Sequence, residues 1–365
     1  MEFFNTLLIN KKDLIHNIKV LKEINKEKKI CAMVKANAYG HGLENAVLSL
    51  KKYVDFFGVA NSTEALLVRK LSKQKSILLC GAFSKESLKE LILNDISLTV
   101  YNKTQLNLII KQSKRLETKA KIHLKINTGM NRLGIKKKGY FKELLKSIEL
   151  NKDYIILEGI YSHFFASDCS KALTEKQYYK FIEYLSIVKN KEGIIIHIEN
   201  SAGYILKADK FNICNMARLG LSLYGYNPTD KYLNLKRVLT LKSKIIDIQK
   251  VNKGEYIGYG NRYVANKKLK IGVLPIGYYD GLLRKLCGYY VLVNNTPCKI
   301  LSVCMDMILI DVSKANAKIN DIVIIIGNEN KSVVDANLMA DVMNTICYEV
   351  LTNIKHERLN IEYLN

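Results

Sequence analysis

Tryptophan is absent and there are only three prolines, while lysine, asparagine and isoleucine abound. The bias runs through the whole chain and points to no particular activity. No run of 18 or more uncharged apolar residues occurs, which excludes a helical membrane span. Met1 to Asn10 carry Glu2 and lack both a basic opening and a small-residue cleavage site, so no secretory signal is expected. The eight cysteines (31, 80, 169, 214, 287, 298, 304 and 347) contain no Cys-x-x-Cys pair. Several lie in apolar runs and read as reduced thiols of a cytoplasmic protein. No metal site is expected. Acidic residues are few: 57 basic residues against 34 acidic ones leave a formal charge of +23. The excess is dispersed, as at Lys26 to Lys29 and Lys136 to Lys138, with no basic arm or binding module. Weak adsorption to polyanions is therefore expected, and specific nucleic-acid recognition is not.

A hydrophobic fraction of 48% over 365 residues suits one large barrel and a smaller domain. Over the first two thirds, apolar runs at 30–35, 56–60, 77–81, 96–100, 121–126, 157–162, 194–197 and 213–218 alternate with amphipathic stretches. In one of these, 12–24, Leu14, Ile15, Ile18 and Leu21 recur at helical spacing. Eight strands with intervening helices predict an α/β fold, a (β/α)8 TIM-like barrel over residues 1–237. An open doubly wound sheet would need a glycine fingerprint after its first strand, and none is there. From about 237 the pattern changes to strand-like segments: 239–251, 269–276, 289–293, 299–303, 307–312 and 322–326. With one helix expected over 335–354, this predicts a mostly β C-terminal domain over 238–365. No Gly/Ser linker separates the two, so they are expected to pack together.

Chemistry concentrates at the ends of the candidate barrel strands. Lys35 closes the run Ile30 to Val34 and opens Lys-Ala-Asn-Ala-Tyr-Gly-His-Gly, residues 35–42. Barrel enzymes place reactive groups at this end of their strands. Burial and cationic neighbours lower an amine's pKa and ready it to form a Schiff base. Tyr39 follows, and Gly40 and Gly42 let backbone approach a ligand closely. Barrels commonly hold phosphate at the loops after strands seven and eight. There the chain reads His197-Ile198-Glu199-Asn200-Ser201 and Ala217-Arg218-Leu219-Gly220-Leu221. Ser201 offers a hydroxyl, and Gly220 and Leu221 offer backbone amides.

These strings, in this order, resemble the alanine racemases, which bind pyridoxal 5'-phosphate; the likeness covers essentially the whole chain. It implies that Lys35 carries the cofactor. Ser201, Gly220, Leu221 and Tyr348 would hold its phosphate, and Tyr39 would belong to the same site. Arg218 would face the pyridine nitrogen as a pure donor, oriented by His197, and His163 in Gly159 to Phe164 would lie beside the ring. Leu124 to Gly134 resembles a second family signature. Arg132 there would contact the phenolic oxygen and the substrate carboxylate, and Lys125 matches a lysine carbamylated in some members. Asn127 and Asn131 stand where the family commonly has Asp and Gly.

In the β domain, Gly258-Tyr259-Gly260 resembles the family's Ser-Tyr-Gly turn, with Tyr259 as the second catalytic base beside Lys35. Tyr278 would narrow substrate entry, and Met305 and Asp306 would line the substrate pocket. Ser302 stands where many members have Arg, and the tail Lys355 to Asn365 lacks the family's usual ending. The resemblance implies a racemase interconverting L-alanine and D-alanine, supplying D-alanine for peptidoglycan. It also implies head-to-tail homodimers with shared sites. A racemase of serine or another amino acid, or a decarboxylase on the same fold, is the alternative.

Overall fold

The structure, a computed structural model, describes residues 4–207, 210–260, 263–329 and 332–364. The opening strand, β1 (Thr6–Asn10), is not one of the barrel strands and pairs in the other sheet. The eight strands that follow occupy the places marked by the apolar runs. They are β2 (Lys29–Met33), β3 (Phe56–Val59), β4 (Ser76–Leu79), β5 (Ile96–Val100), β6 (Ala120–Lys125), β7 (Ile155–Tyr161), β8 (Ile195–His197) and β9 (Met216–Leu219). All pair in parallel, in the order β8-β7-β6-β5-β4-β3-β2-β9. The seam between β8 and β9 is bridged by Asn215 N donating to Ile196 O (3.0 Å) and Arg218 N donating to Glu199 O (3.0 Å). Strands such as β3 and β5 are buried at every position. Burial on both faces is why β3 reads as an unbroken apolar run; β5 also buries Ser97 and Thr99, which bond to Glu158 and Tyr161.

The helices between them bury the stripes their spacing predicts. Lys11–Lys22 turns Leu14, Ile18 and Leu21 inward. Ser62–Leu71 begins one residue after its cap, Asn61, whose side chain accepts from Glu64 N. This unit comprises Asp13–Ala38 and Gly42–Lys236.

The second unit comprises Met1–Lys12, Tyr39–His41 and Arg237–Asn365. Its strands are β1, β10 (Leu239–Lys244), β11 (Asp247–Val251), β12 (Leu269–Leu274), β13 (Tyr290–Val293), β14 (Thr296–Val303), β15 (Ile308–Asp311), β16 (Ile322–Glu329), β17 (Ser332–Val334) and β18 (Asn360–Leu364). They run in the order β11-β12-β15-β14-β13-β16-β10-β1-β18, with β17 on β16. The stretch 239–251, read from sequence as one strand, is two. Ile245 N donates to Asp321 O and Ile246 N to Val273 O, so the chain changes partner from β16 to β12 between them. The helix expected over 335–354 is also two, Ala336–Met343 and Cys347–Asn353, broken at Asn344 with φ 54°. Within the C-terminal tail, Asn360–Leu364 form β18, parallel to β1. Among the described residues no helix is long and apolar enough to cross a membrane.

Candidate active site

Lys35 begins a six-residue helical turn, Lys35–Gly40. Its backbone has the wrong hand: Ala36, Asn37, Ala38 and Tyr39 have φ of 53°, 52°, 54° and 55°. A left-handed turn of L-residues costs about 1–2 kcal/mol per residue, and of these four only asparagine tolerates it readily. Hydrogen bonds hold it: Ala36 N donates to Glu64 Oε1 (2.8 Å), and Leu43 N donates to Asn37 Oδ1 (2.8 Å). Gly40 closes the turn at φ 81°, and a Cβ there would lie 2.2 Å from Leu351 O. The glycine thus makes room for the protein's own backbone, where the sequence suggested room for a ligand.

Around Lys35 the barrel gathers cations. Burial lowers the pKa of the Lys35 amine, and Arg132 and Arg218 add to the effect. Lys125, at the end of β6, is buried and its amine is pulled to about 8, chiefly by desolvation and then by Arg218, Arg132 and Lys35. None of these four side chains forms an ion pair with a described carboxylate. Lys125, Arg132, Ser162 and His163 line one small cleft. Arg132 is exposed on its loop. That loop explains two departures from the family pattern. Asn127 Oδ1 accepts from Gly129 N (3.1 Å) and Asn131 N (3.1 Å), as a carboxylate oxygen would. Asn131 takes φ 57°, a left-handed conformation that glycine and asparagine adopt most readily.

Arg218, buried on β9, fixes a chain of protons. An arginine only donates. Its Nη1 donates to His197 Nδ1 (2.5 Å), so His197 carries its proton on Nε2 and donates to His123 Nδ1 (2.9 Å). His123 in turn donates from Nε2 to Glu158 Oε2 (2.9 Å). Nη2 donates to Ser162 O (2.7 Å) and His163 Nδ1 (3.0 Å). Burial, and then Arg218, holds both His163 and His197 well below the usual imidazole range. Burial opposes the charge on Glu158, but its bonds from His123 and Ser97 keep the carboxyl below its usual value. Tyr161 stacks on His197 at 4.7 Å and 2° and lies under Arg218 (5.1 Å) and Lys125 (5.3 Å).

At the expected phosphate corner, Ser201 Oγ accepts from Gly220 N (3.1 Å) and from Ser222 Oγ (2.9 Å), with Leu221 opening the next turn. Glu199, in the same string, turns away. It pairs with buried Lys28 (2.8 Å), and burial pushes its carboxyl up to about 7 despite that partner.

Sequence reasoning missed His123, Glu158, Tyr161, Glu64 and Cys80, whose thiol burial raises against the lowering effect of Arg218, Lys125, Lys35 and Arg132. Gly159 was the available signal. A Cβ there would meet His123 Nδ1 at 2.2 Å, so its smallness marks an inward ring on the neighbouring strand.

The remaining expected residues belong to the second unit. Tyr39 and Tyr348 bring their rings to 6.1 Å. Tyr259 stands 75% exposed between Gly258 (φ 75°) and Gly260 (φ 71°). The base of its turn is pinned by Ile257 N donating to Tyr263 O (3.0 Å) and by the buried cluster Ile257, Ala265, Leu269, Ile271 and Leu301. A Cβ at 258 would fall 2.1 Å from Ser302 Oγ, so the two departures at 258 and 302 are in contact. Tyr278 N donates to Cys304 O (3.0 Å) and Tyr279 N to Met305 O (2.8 Å), which sets Tyr278 beside Met305 and Asp306.

Residues 9–228 match the family described as alanine racemase, N-terminal domain, and residues 238–363 match alanine racemase, C-terminal domain. The chain belongs to the alanine racemase family. An alanine racemase of Borreliella burgdorferi is 37% identical over 97% of this chain and 96% of its own length. One from Staphylococcus epidermidis is 32% identical over 98% and 94%. Among solved structures, the alanine racemase from E. faecalis superposes with a TM-score of 0.92 at 31% identity, covering 99% of this chain and 98% of its own. That of Clostridium difficile 630 gives 0.91 at 33% identity, covering 100% and 96%. The barrel followed by a mostly β region is thus the alanine racemase architecture.

Lys125 makes a pH prediction for the cofactor-free protein. Its folded pKa of about 8 lies below the ordinary lysine value of 10.5, so the folded state is penalised at lower pH. The penalty lifts as pH rises from about 8 toward 10.5. Lys125→Met should therefore stabilise the protein at neutral pH, with an advantage that shrinks toward pH 10. Denaturant midpoints across that range test this; a pH-independent difference contradicts it.

Proposed function

We propose that this chain interconverts L-alanine and D-alanine with pyridoxal 5'-phosphate, by proton transfer between Lys35 and Tyr259. The observation that carries the reading is the cluster of Lys35, Lys125, Arg132 and Arg218, without a carboxylate paired to any of them among the described residues. That donor set suits a ligand with a phosphate, a phenolic oxygen and an amino-acid carboxylate. Lys35 would hold the cofactor, Ser201, Gly220, Leu221 and Tyr348 its phosphate, and Arg132 its phenolic oxygen, with Tyr39, His163 and His197 at its margins. The bound cofactor supplies an aldehyde for the amino group and a ring that acidifies the substrate Cα–H.

The protein's own groups then decide the outcome. Arg218 has five N–H groups and spends three on its histidine and carbonyl partners. Those left over could meet a ring nitrogen of the bound cofactor only as donors, which would keep that nitrogen unprotonated and favour return of a proton to the substrate Cα. Lys35 is assigned the proton on the D face and Tyr259 that on the L face. Tyr278, Met305 and Asp306 are assigned to the substrate. We place the enzyme in the cytoplasm, as eight unpaired cysteines suit a reducing compartment, and assign its product to peptidoglycan. It is further proposed to act as a head-to-tail homodimer, to which an exposed Tyr259 and Met305 are available.

The reading is tested by following the circular dichroism of L-alanine with cofactor-loaded protein; an undiminished signal contradicts it. Arg218→Glu supplies a sharper test. A carboxylate would let the ring nitrogen protonate, so racemisation should slow and pyruvate should accumulate. Unchanged racemisation without pyruvate would remove Arg218 from its assigned place.

A further inference from the structure

The turn that carries Lys35 is held by a side chain outside all of the motifs. Glu64 lies third in the helix Ser62–Leu71, behind the cap Asn61. A glutamate there ordinarily reaches back to the N–H of its own cap residue. Here Oε2 accepts instead from Ala60 N (2.8 Å), just beyond β3, while Oε1 crosses to Ala36 N (2.8 Å). Ala36 is the first of the left-handed residues and directly follows Lys35. One carboxylate thus ties the ends of the adjacent strands β2 and β3. Receiving two amide N–H groups at once requires an acceptor at both atoms. Glutamine would turn an NH2 toward one of them, and aspartate is a methylene shorter.

We propose that Glu64 is a positioning residue that clamps the left-handed turn and so presents the Lys35 amine for attachment of an aldehyde cofactor. This rests on the reading of Lys35 as the cofactor lysine. A second effect follows from its charge. Glu64 raises the Lys35 pKa, against burial, Arg132 and Arg218, which lower it.

The test uses the full chain stripped of cofactor and then mixed with pyridoxal 5'-phosphate and borohydride. Lys35 Nζ adds to the aldehyde carbon, water leaves, and hydride from borohydride fixes the carbon–nitrogen bond. Peptide mass spectrometry then reports which lysine is labelled and how fast, at each pH. Glu64→Gln should shift the midpoint of the pH–rate curve to lower pH, because the amine loses its anionic neighbour. Its plateau rate should fall by roughly 10- to 100-fold, the scale of a misplaced reacting group. Amide hydrogen exchange at Ala36 should quicken.

A general loss of folding would slow labelling only in proportion to the unfolded fraction and would leave the midpoint in place. That outcome, or a midpoint and rate matching the parent, overturns the proposal. Should Glu64→Ala fail to fold, the near-isosteric Glu64→Gln decides. Label on Lys35 in the parent with unaltered variants defeats the Glu64 role alone. Label on a different lysine in the parent defeats the Lys35 reading and this inference with it.

Discussion

Lys35→Ala is expected to remove the borohydride-fixed cofactor label and to lower racemisation by at least the roughly 100- to 10,000-fold that a positioned acid–base group supplies. The loss should exceed that of any other single change, because the same amine is assigned both attachment and one proton transfer. Lys125 makes the test exacting. It is a second amine in the same unit, buried, pulled to about 8 and placed 5.3 Å from the Tyr161 ring. If Lys125 substituted for Lys35, the variant would keep a label, now on the peptide containing residue 125. A variant that is both labelled there and active would reassign the cofactor lysine. Loss of label with retained folding, checked by an unchanged denaturant midpoint, is the expected result.

Tyr259→Phe should divide the reaction by face. Its hydroxyl is assigned to L-alanine and Lys35 to D-alanine, so exchange of the α-proton with solvent should fall far more for L-alanine. The expected gap is about 100- to 10,000-fold. Equal loss for both enantiomers would refute the two-base assignment. The same variant probes the dimer. Tyr259 is 75% exposed at the tip of a turn anchored by its own buried cluster, so removing its hydroxyl should leave the fold intact. If the base reaches a second copy's Lys35, mixing inactive Lys35→Ala and Tyr259→Phe chains should restore activity. One site of each mixed dimer would hold both intact residues. Verified subunit exchange without recovery would contradict shared sites.

Much of this molecule was legible before folding. Buried parallel strands are mostly apolar on both faces, so all eight barrel strands showed as runs, displaced by at most a few residues. Strand partners in the second sheet were not legible, because pairing there is a long-range choice that no repeating unit dictates. That is why 239–251 hid a change of partner at Ile245 and Ile246, and why β1 joined a sheet whose other strands lie more than 200 residues away in sequence. The site divides along the same line. Lys35, Arg218 and Ser201 stand at strand ends, where position alone suggests chemistry. His123 and Glu158 lie within strands and look like core positions until Arg218 is placed; only then does each ring's proton have a single location.

The sequence by itself determined which groups are available, their order along the barrel, and the motifs that place the chain among the alanine racemases. The tertiary structure alone decided the hand of the Lys35 turn. Ala36, Ala38 and Tyr39 carry no preference for positive φ, and four such residues cost several times about 1–2 kcal/mol. Asn37 meets part of that cost locally, its side chain accepting from Leu43 N, and the rest is met by Glu64, 28 residues from Ala36, with Gly40 making room beside Leu351. No local pattern contains those last contacts, so the sequence around Lys35 does not by itself specify the turn.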